Sequence, residues 1–409
     1  MRGPGLPCVH CGLCLDACPT YRILGTEADS PRGRIHIMEA VKAGSLALDD
    51  TAIEHLDGCL GCLACETACP SGVSFHERIE EFRPRLSLPF FSRVWRALVA
   101  RTSASRTLLR SALALSHALD AARLEGMRRR LPALAVLPRS TAGDGLHTFT
   151  RATVARPQRA RARVALLRGC AAAALKPEVE LATRQVLYRN SIDVIEAPDQ
   201  TCCGALALHA GRMDQARGLA LINTAVFDAR DVDFIVTTAA GCGAMLKDYG
   251  RVLARDSRAS AAERVSAKTR DVSEVLCETG IAPPVRPLRV GGEVAYHDAC
   301  HLLHAARVAV PPRSVVEAAT GKAPVDLGEN SVCCGSAGSY NLDKPTLARV
   351  LGRRKAELAR ELGVSAVAVG NVGCMLQLEQ AFAAQGLRVP VLHPVELLAE
   401  AYARSEEAR

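Results

Sequence analysis

The sequence predicts an α+β multidomain chain: a helical, cysteine-rich N-terminal domain, a basic helical segment, then two tandem α/β cysteine-rich repeats. Three observations predict it. The run Cys-x2-Cys-x2-Cys-x3-Cys-Pro occurs twice, at Cys8–Pro19 and Cys59–Pro70; strand-like and helix-like stretches alternate after residue 160; and a Cys, Cys-Cys-Gly, Cys pattern occurs twice in that second half. The boundaries read as 1–83, 84–160, 161–288 and 289–409.

The two runs match position for position, each cysteine of the first recurring 51 residues later. Two-residue gaps let three consecutive sulfurs face one [4Fe-4S] cluster while backbone N–H groups turn toward sulfur, and the fourth cysteine reaches across to the other cluster. The pattern assigns Cys8, Cys11, Cys14 and Cys69 to one cluster, and Cys59, Cys62, Cys65 and Cys18 to the second. A structural zinc site needs two Cys-x2-Cys pairs per metal, and a disulfide framework needs an oxidising compartment. Neither matches two triplets each trailed by Cys-Pro. Between the runs, Ser30 to Gly44 reads as a helix, with Ser30 as N-cap, Pro31 in the first turn and Ile35, Met38 and Val41 at helical spacing. A second short helix covers Ala52 to Leu56. This N-terminal helical domain has few apolar residues of its own, so it is expected to fold only around its clusters.

Composition limits the alternatives. A chain of 409 residues with 49% apolar content has room for real cores. The 17 cysteines, with no apolar leader-like stretch near Met1, read as cytoplasmic reduced thiols. No window of about 18 residues is free of charged side chains, so no transmembrane helix is expected. The net charge of +8 is concentrated: residues 83–163 hold 17 arginines against Asp120, Glu125 and Asp144. With 4% aromatic residues and no stacking platform, nucleic-acid binding is excluded. In this basic segment Phe91, Val94, Trp95, Leu98 and Val99, then Leu108, Leu109, Leu113 and Leu119, recur at helical spacing. Such a face packs on its own protein or a partner subunit, or lies peripherally on an anionic membrane such as the cytoplasmic face of the inner membrane. Pro132, Pro138, Thr141 to Gly145 and Pro157 mark a loop.

In the second half, Cys170, Cys202, Cys203 and Cys242 are repeated as Cys300, Cys333, Cys334 and Cys374, at offsets of 130 to 132. Strands are expected at Val164–Leu167, Phe234–Thr238, Val294–His297 and Ala366–Val369, and helices at Glu178–Arg189, Met213–Ala229, Ser314–Ala319 and Pro345–Leu362. The cysteines then fall on loops at strand ends, near helix N-termini that favour thiolate. They are possible additional iron-sulfur sites, zinc sites or redox thiols. His297, His301 and His304 flank Cys300, and a histidine can replace a thiolate as cluster ligand or hydrogen-bond a sulfur. Cys277, outside the pattern, reads as a buried small hydrophobe.

The helical link between the runs resembles the α-helical ferredoxin domain of succinate dehydrogenase and fumarate reductase iron-sulfur subunits. Taken together, Cys8–Ile35, Cys65–Val73, Thr201–Gly211, Thr237–Gly250 and Ser331–Leu342 resemble, in order and spacing, the iron-sulfur subunits of bacterial glycolate oxidase. The Cys-Cys-Gly (CCG) repeats are also similar to those of heterodisulfide reductase and of anaerobic glycerol-3-phosphate and lactate dehydrogenases. The resemblance implies an electron-transfer subunit that passes electrons to a quinone or another acceptor. Glycolate, and D-lactate too, would be oxidised by FAD on a partner flavoprotein subunit. The residues agree, since no Gly-x-Gly-x-x-Gly follows a strand and opens a helix. The alternatives are the equivalent subunit of a D-lactate or glycerol-3-phosphate dehydrogenase, and a heterodisulfide-reductase-like catalytic protein. Heterodisulfide reductase ends its pattern in Cys-x2-Cys, whereas Met245 and Gln377 stand at the last positions here. Only seven residues precede Cys8, fewer than the resemblance implies.

Overall fold

The computed structural model describes residues 7–121, 149 and 154–407. The expected loop markers Pro132, Pro138 and Thr141 to Gly145 lie outside them. In the N-terminal domain the Ser30 side chain caps the helix Pro31–Lys42 by accepting from the Gly33 N–H at 3.0 Å. Asp49 caps the helix Asp50–Asp57 in the same way, accepting from Ala52 at 2.9 Å. These helices and Phe75–Phe82 bury Ile35, Met38, Ile53, Leu56, Ile79 and Phe82. The domain therefore has a small apolar core beside its cysteines, more than the sequence led us to expect. Arg34 is buried behind that core. It donates to the His55 carbonyl at 2.7 Å and to Thr20 Oγ1 at 3.0 Å, and pairs with Asp29 at 3.4 Å.

Among the described residues the basic segment forms two helices, Phe90–Ala104 and Arg106–Ala121. Its apolar residues do not share one buried face. Leu109, Leu113 and Leu119 pack on Ala171, Ala174 and Leu175 of the first repeat, whereas Phe90, Phe91, Val94 and Leu98 are exposed. Arg96 clamps the segment down, donating to both Asp57 oxygens at 2.6 and 2.9 Å while pairing with Asp343 at 3.2 Å.

Each repeat builds one parallel four-stranded sheet. The first holds β1 (Ala162–Leu166), β2 (Ile192–Ile195), β3 (Phe234–Thr237) and β4 (Thr269–Asp271), in the order β2-β1-β3-β4. The second repeats the order as β6-β5-β7-β8, with β5 Val294–Tyr296, β6 Val325–Asp326, β7 Ala366–Ala368 and β8 Val391–Leu392. Near-continuous apolar strands such as Val164–Leu166 suit a sheet covered on both faces. Strand order reverses between the first and third strand of each repeat, which opens a crevice at their carboxyl ends. One apolar core runs through both repeats, from Val164 and Val186 to Val367 and Leu398. The C-terminal helix Pro394–Glu407 ties them further, its Tyr402 hydroxyl lying 3.2 Å from Asn190 Nδ2 of the first repeat.

Cys277 is not buried. It sits on the helix Val272–Thr279, which buries Val272, Val275 and Leu276 and leaves the next position exposed, with Sγ 3.8 Å from the Pro311 carbonyl oxygen. In the N-terminal domain, Arg34→Met leaves the buried Asp29 carboxylate without its guanidinium, a loss of about 3 kcal/mol. The first transition in chemical denaturation should move to lower denaturant, and an unchanged midpoint would refute the role given to this pair.

Candidate metal centres

The two N-terminal runs fold alike. His10 and Gly12 in the first, and Gly61 and Leu63 in the second, all have positive φ, at equivalent positions around the middle cysteine pair. That left-handed pairing turns backbone N–H groups inward, and the Gly61 N–H points at Cys59 Sγ at 3.4 Å. The following turns also repeat: Leu15 N–H to the Gly12 carbonyl and Glu66 N–H to the Leu63 carbonyl, each 3.0 Å.

Cys18, Cys59, Cys62 and Cys65 line one small cavity, with Thr20, Arg34 and Phe75 also in its wall. No carboxylate lines it, and the Arg34 guanidinium lies 4.0 Å from Cys18 Sγ. Four sulfurs, inward N–H groups and one cation fit a [4Fe-4S] group. Burial pushes the Cys62 and Cys65 thiols well above their ordinary value, with neighbouring thiolates adding to it. The set Cys8, Cys11, Cys14 and Cys69 lies nearer the surface, and Cys11 is exposed. Burial pushes the Cys14 thiol up, with Cys8 and Cys18 adding to it, and Cys8 and Cys69 pack on the apolar cluster of this domain, as do Cys59 and Cys65.

In the first repeat the four cysteines meet as two close pairs, Cys170 with Cys202 and Cys203 with Cys242, each 3.3 Å between sulfurs. Hydrogen bonds from Cys170 and then Cys203 favour the Cys202 thiolate and hold its pKa low. The Cys-Cys-Gly turn is fixed from behind by residues that carry no sequence signature. Tyr249, fully buried, donates to the Cys203 carbonyl at 2.8 Å, and Asn223 donates to the Cys202 carbonyl at 3.0 Å. Gly204 must be glycine, because its φ is +92° and a Cβ would meet the Ala216 carbonyl oxygen at 3.2 Å. In the second repeat the Cys300 and Cys333 sulfurs are 3.9 Å apart. Cys242 and Cys374 lie not on loops, as expected, but in the first turns of the helices Ala240–Lys247 and Val372–Ala384, where the dipole still favours thiolate. His301 and His304 are not brought to bear together on Cys300. His301 Nδ1 is 3.6 Å from its sulfur, whereas His304 bonds Thr67 Oγ1 at 2.9 Å and the Ser331 carbonyl at 3.2 Å.

That Thr67 contact belongs to a larger seam. The N-terminal domain sits on the repeats through Tyr340, which donates to the Gly58 carbonyl at 3.0 Å, and Arg83, which donates to the Cys59 and His209 carbonyls at 3.0 and 2.8 Å. Leu60, Cys62 and Ala64 are part of the same apolar core as Cys300 and Cys333. A cleft of about 790 Å³, open to solvent, lies beside this seam. Gly61 and Leu63 line both the cleft and the four-cysteine cavity, and His76, Arg83, His209 and His301 face the cleft. Burial holds His301 neutral, with a pKa of about 4.

Comparison with known proteins agrees with this geometry. Residues 6–73 match a 4Fe-4S dicluster domain, and residues 164–247 and 294–379 match a cysteine-rich domain. The glycolate oxidase iron-sulfur subunit of Escherichia coli (strain K12) is 34% identical over 411 residues, covering 96% of this chain and 93% of that one. The probable glycolate oxidase iron-sulfur subunit of Bacillus subtilis (strain 168) is 33% identical, covering 98% of this chain and 94% of the relative. The chain belongs to the glycolate oxidase iron-sulfur subunit family. It carries the iron-sulfur dicluster domain of that family, followed by its two cysteine-rich domains. Lactate utilization protein A of Geobacillus kaustophilus (strain HTA426) is 27% identical, spanning 58% of this chain and 98% of its own length.

Tyr249→Phe removes the donor to the Cys203 carbonyl and leaves that carbonyl buried without it, a cost of about 2 kcal/mol. Thermal unfolding of the variant should begin earlier while the iron of the N-terminal domain stays unchanged. Equal thermal stability would show that the turn holds itself.

Proposed function

We propose that this chain is the electron relay of a hydroxy-acid oxidase: it takes electrons one at a time from a flavin that oxidises glycolate on a partner subunit and passes them to a quinone or another acceptor. The dicluster domain and the family carry the reading at the level of class. The observation that carries the relay is the four-cysteine cavity. Cys18, from the first run, lines it beside Cys59, Cys62 and Cys65 of the second, so one backbone segment joins both centres. In the proposed assignment Cys8, Cys11, Cys14 and Cys69 hold the other [4Fe-4S] cluster. When bound, such clusters supply reversible one-electron storage, while hydride removal from a 2-hydroxy acid stays with the flavin.

The burial of the cysteines supports a direction for the relay. Cys11 is exposed, which supports the first centre as the docking end for the flavoprotein. The second lies deeper, lined by Arg34 and Phe75, and its Cys62 belongs to the same apolar core as Cys300. With a cluster bound, Arg34 would offset its negative charge, and Arg83 bridges the Cys59 carbonyl of the cysteine loop to the His209 carbonyl of the first repeat. The cleft behind Gly61 and Leu63 brings an acceptor next to the enclosed centre without exposing it. The proposed units are 1–83, 84–160, 161–288 and 289–409, and the exposed face of Phe90, Phe91, Val94 and Leu98 supports peripheral docking on a membrane or a partner subunit. Among the described residues no helix is long and apolar enough to cross a membrane.

The test is Cys62→Ser in the complex with its flavoprotein partner. Iron should fall by about four per chain, one cluster. Glycolate should still reduce the flavin, and acceptor reduction should stop. Acceptor reduction at the full rate with that iron gone would overturn the relay.

A further inference from the structure

The two repeats share a fold but differ at two positions that face their cysteines. Leu167 directly follows β1, with its N–H bonded to the Val236 carbonyl at 2.9 Å, and His297 directly follows β5, with the equivalent bond to the Ala368 carbonyl, also 2.9 Å. Leu167 is buried among apolar neighbours, so the backbone at this place does not require an imidazole. His297 is nevertheless fully buried, and neither ring nitrogen has a hydrogen-bond partner among the described residues. A neutral imidazole has one donor and one acceptor nitrogen, and burying both unpaired is unfavourable unless something takes one of them. The ring nitrogen lies within 4.8 Å of both Cys334 Sγ and Cys374 Sγ. The second difference is Asn371. It precedes the helix Val372–Ala384 at the place where Ala239 precedes Ala240–Lys247 in the first repeat, and its Nδ2 donates to Cys374 Sγ at 3.2 Å. An amide aimed at sulfur stabilises a metal-bound thiolate from behind.

We infer that the second repeat holds a metal centre in which a ring nitrogen of His297 is a ligand beside the Cys334 and Cys374 thiolates, a nitrogen-sulfur site that the first repeat, with Leu167 and Ala239, cannot form. Imidazole with thiolates selects zinc or the iron of an iron-sulfur cluster. Cys333 and Cys300 extend the sulfur side of the site, with Gly335 donating its N–H to Cys333 Sγ at 3.4 Å. The inference stands apart from the relay, because it concerns what the second repeat binds whatever passes through it.

The test uses the full chain, purified anaerobically and labelled with 15N-histidine, as wild type, His297→Leu and His297→Cys. Leucine is the residue the fold already accommodates at this place in the first repeat, so His297→Leu should fold, and the iron of the N-terminal domain is the internal control. Wild type should carry metal beyond that iron, and His297→Leu should lose at least four-fifths of the excess. If the metal is iron, pulsed EPR of the reduced protein should show strong 15N coupling in wild type. If it is zinc, X-ray absorption at its edge should show a nitrogen scatterer. In His297→Cys the metal should be retained and the nitrogen signal lost. Full metal content in His297→Leu, a nitrogen signal that survives in His297→Cys, or no metal beyond the N-terminal iron would each overturn the assignment.

Discussion

The crossing of one cysteine between two runs is the constraint on which the rest of this structure depends. Cys18 lies at the start of the helix Pro19–Leu24, yet its sulfur opens into the cavity of Cys59, Cys62 and Cys65, about forty residues further along the chain. To bring them together, the intervening chain must double back. It does so through the helices Pro31–Lys42 and Asp50–Asp57, both begun by a side-chain cap. Arg34, buried between them, holds the turn in place and faces the sulfur that crosses. The left-handed residues at 10 and 12, and again at 61 and 63, show that both runs meet the same local demand. Leu63 accepts a conformation that costs a branched side chain about 1 kcal/mol, which the surrounding turn has to offset.

From that constraint follows the seating of the domain on the repeats. The second run is the more buried of the two, and its Cys62 belongs to the same core as Cys300 and Cys333. The parallel sheets place their cysteines at the carboxyl ends of strands, beside the reversal in strand order, where an α/β sheet leaves room for a group between loops. Arg83, Tyr340 and Thr67 bind the two parts at carbonyls and at a histidine rather than through surface ion pairs alone. Such contacts hold distance and orientation, which a single-electron relay needs more than it needs a flexible hinge.

The periodic and closely spaced features were legible in the sequence. The Ser30 cap, the helix Pro345–Leu362 and the central strands β1, β3, β5 and β7 follow from local pattern, and the cysteine spacing carried the dicluster domain, whereas the outer strands β2 and β4 were not read from the sequence. What escaped depends on neighbours far along the chain. The edge strands Val325–Asp326 and Val391–Leu392 are two residues long and exist only through their parallel partners. Cys277 read as a core residue by type, and its exposure is decided by which face of its helix meets β3 and β4. His297 was visible as one of three histidines near Cys300, but only the fold separates it from His304, which turns to Thr67, and sets it beside Cys334 and Cys374. Tyr249 and Asn223 are ordinary core residues in sequence, and the carbonyls they satisfy lie more than twenty positions away.

The most direct test of the account is the EPR spectrum of Cys18→Ser in the reduced full chain, set against Cys11→Ser and Cys62→Ser. Crossing ligation predicts that Cys18→Ser alters the same cluster signal as Cys62→Ser and leaves intact the one altered by Cys11→Ser. If Cys18→Ser instead follows Cys11→Ser, each run holds its own cluster, and the constraint that organises this domain is not the one described.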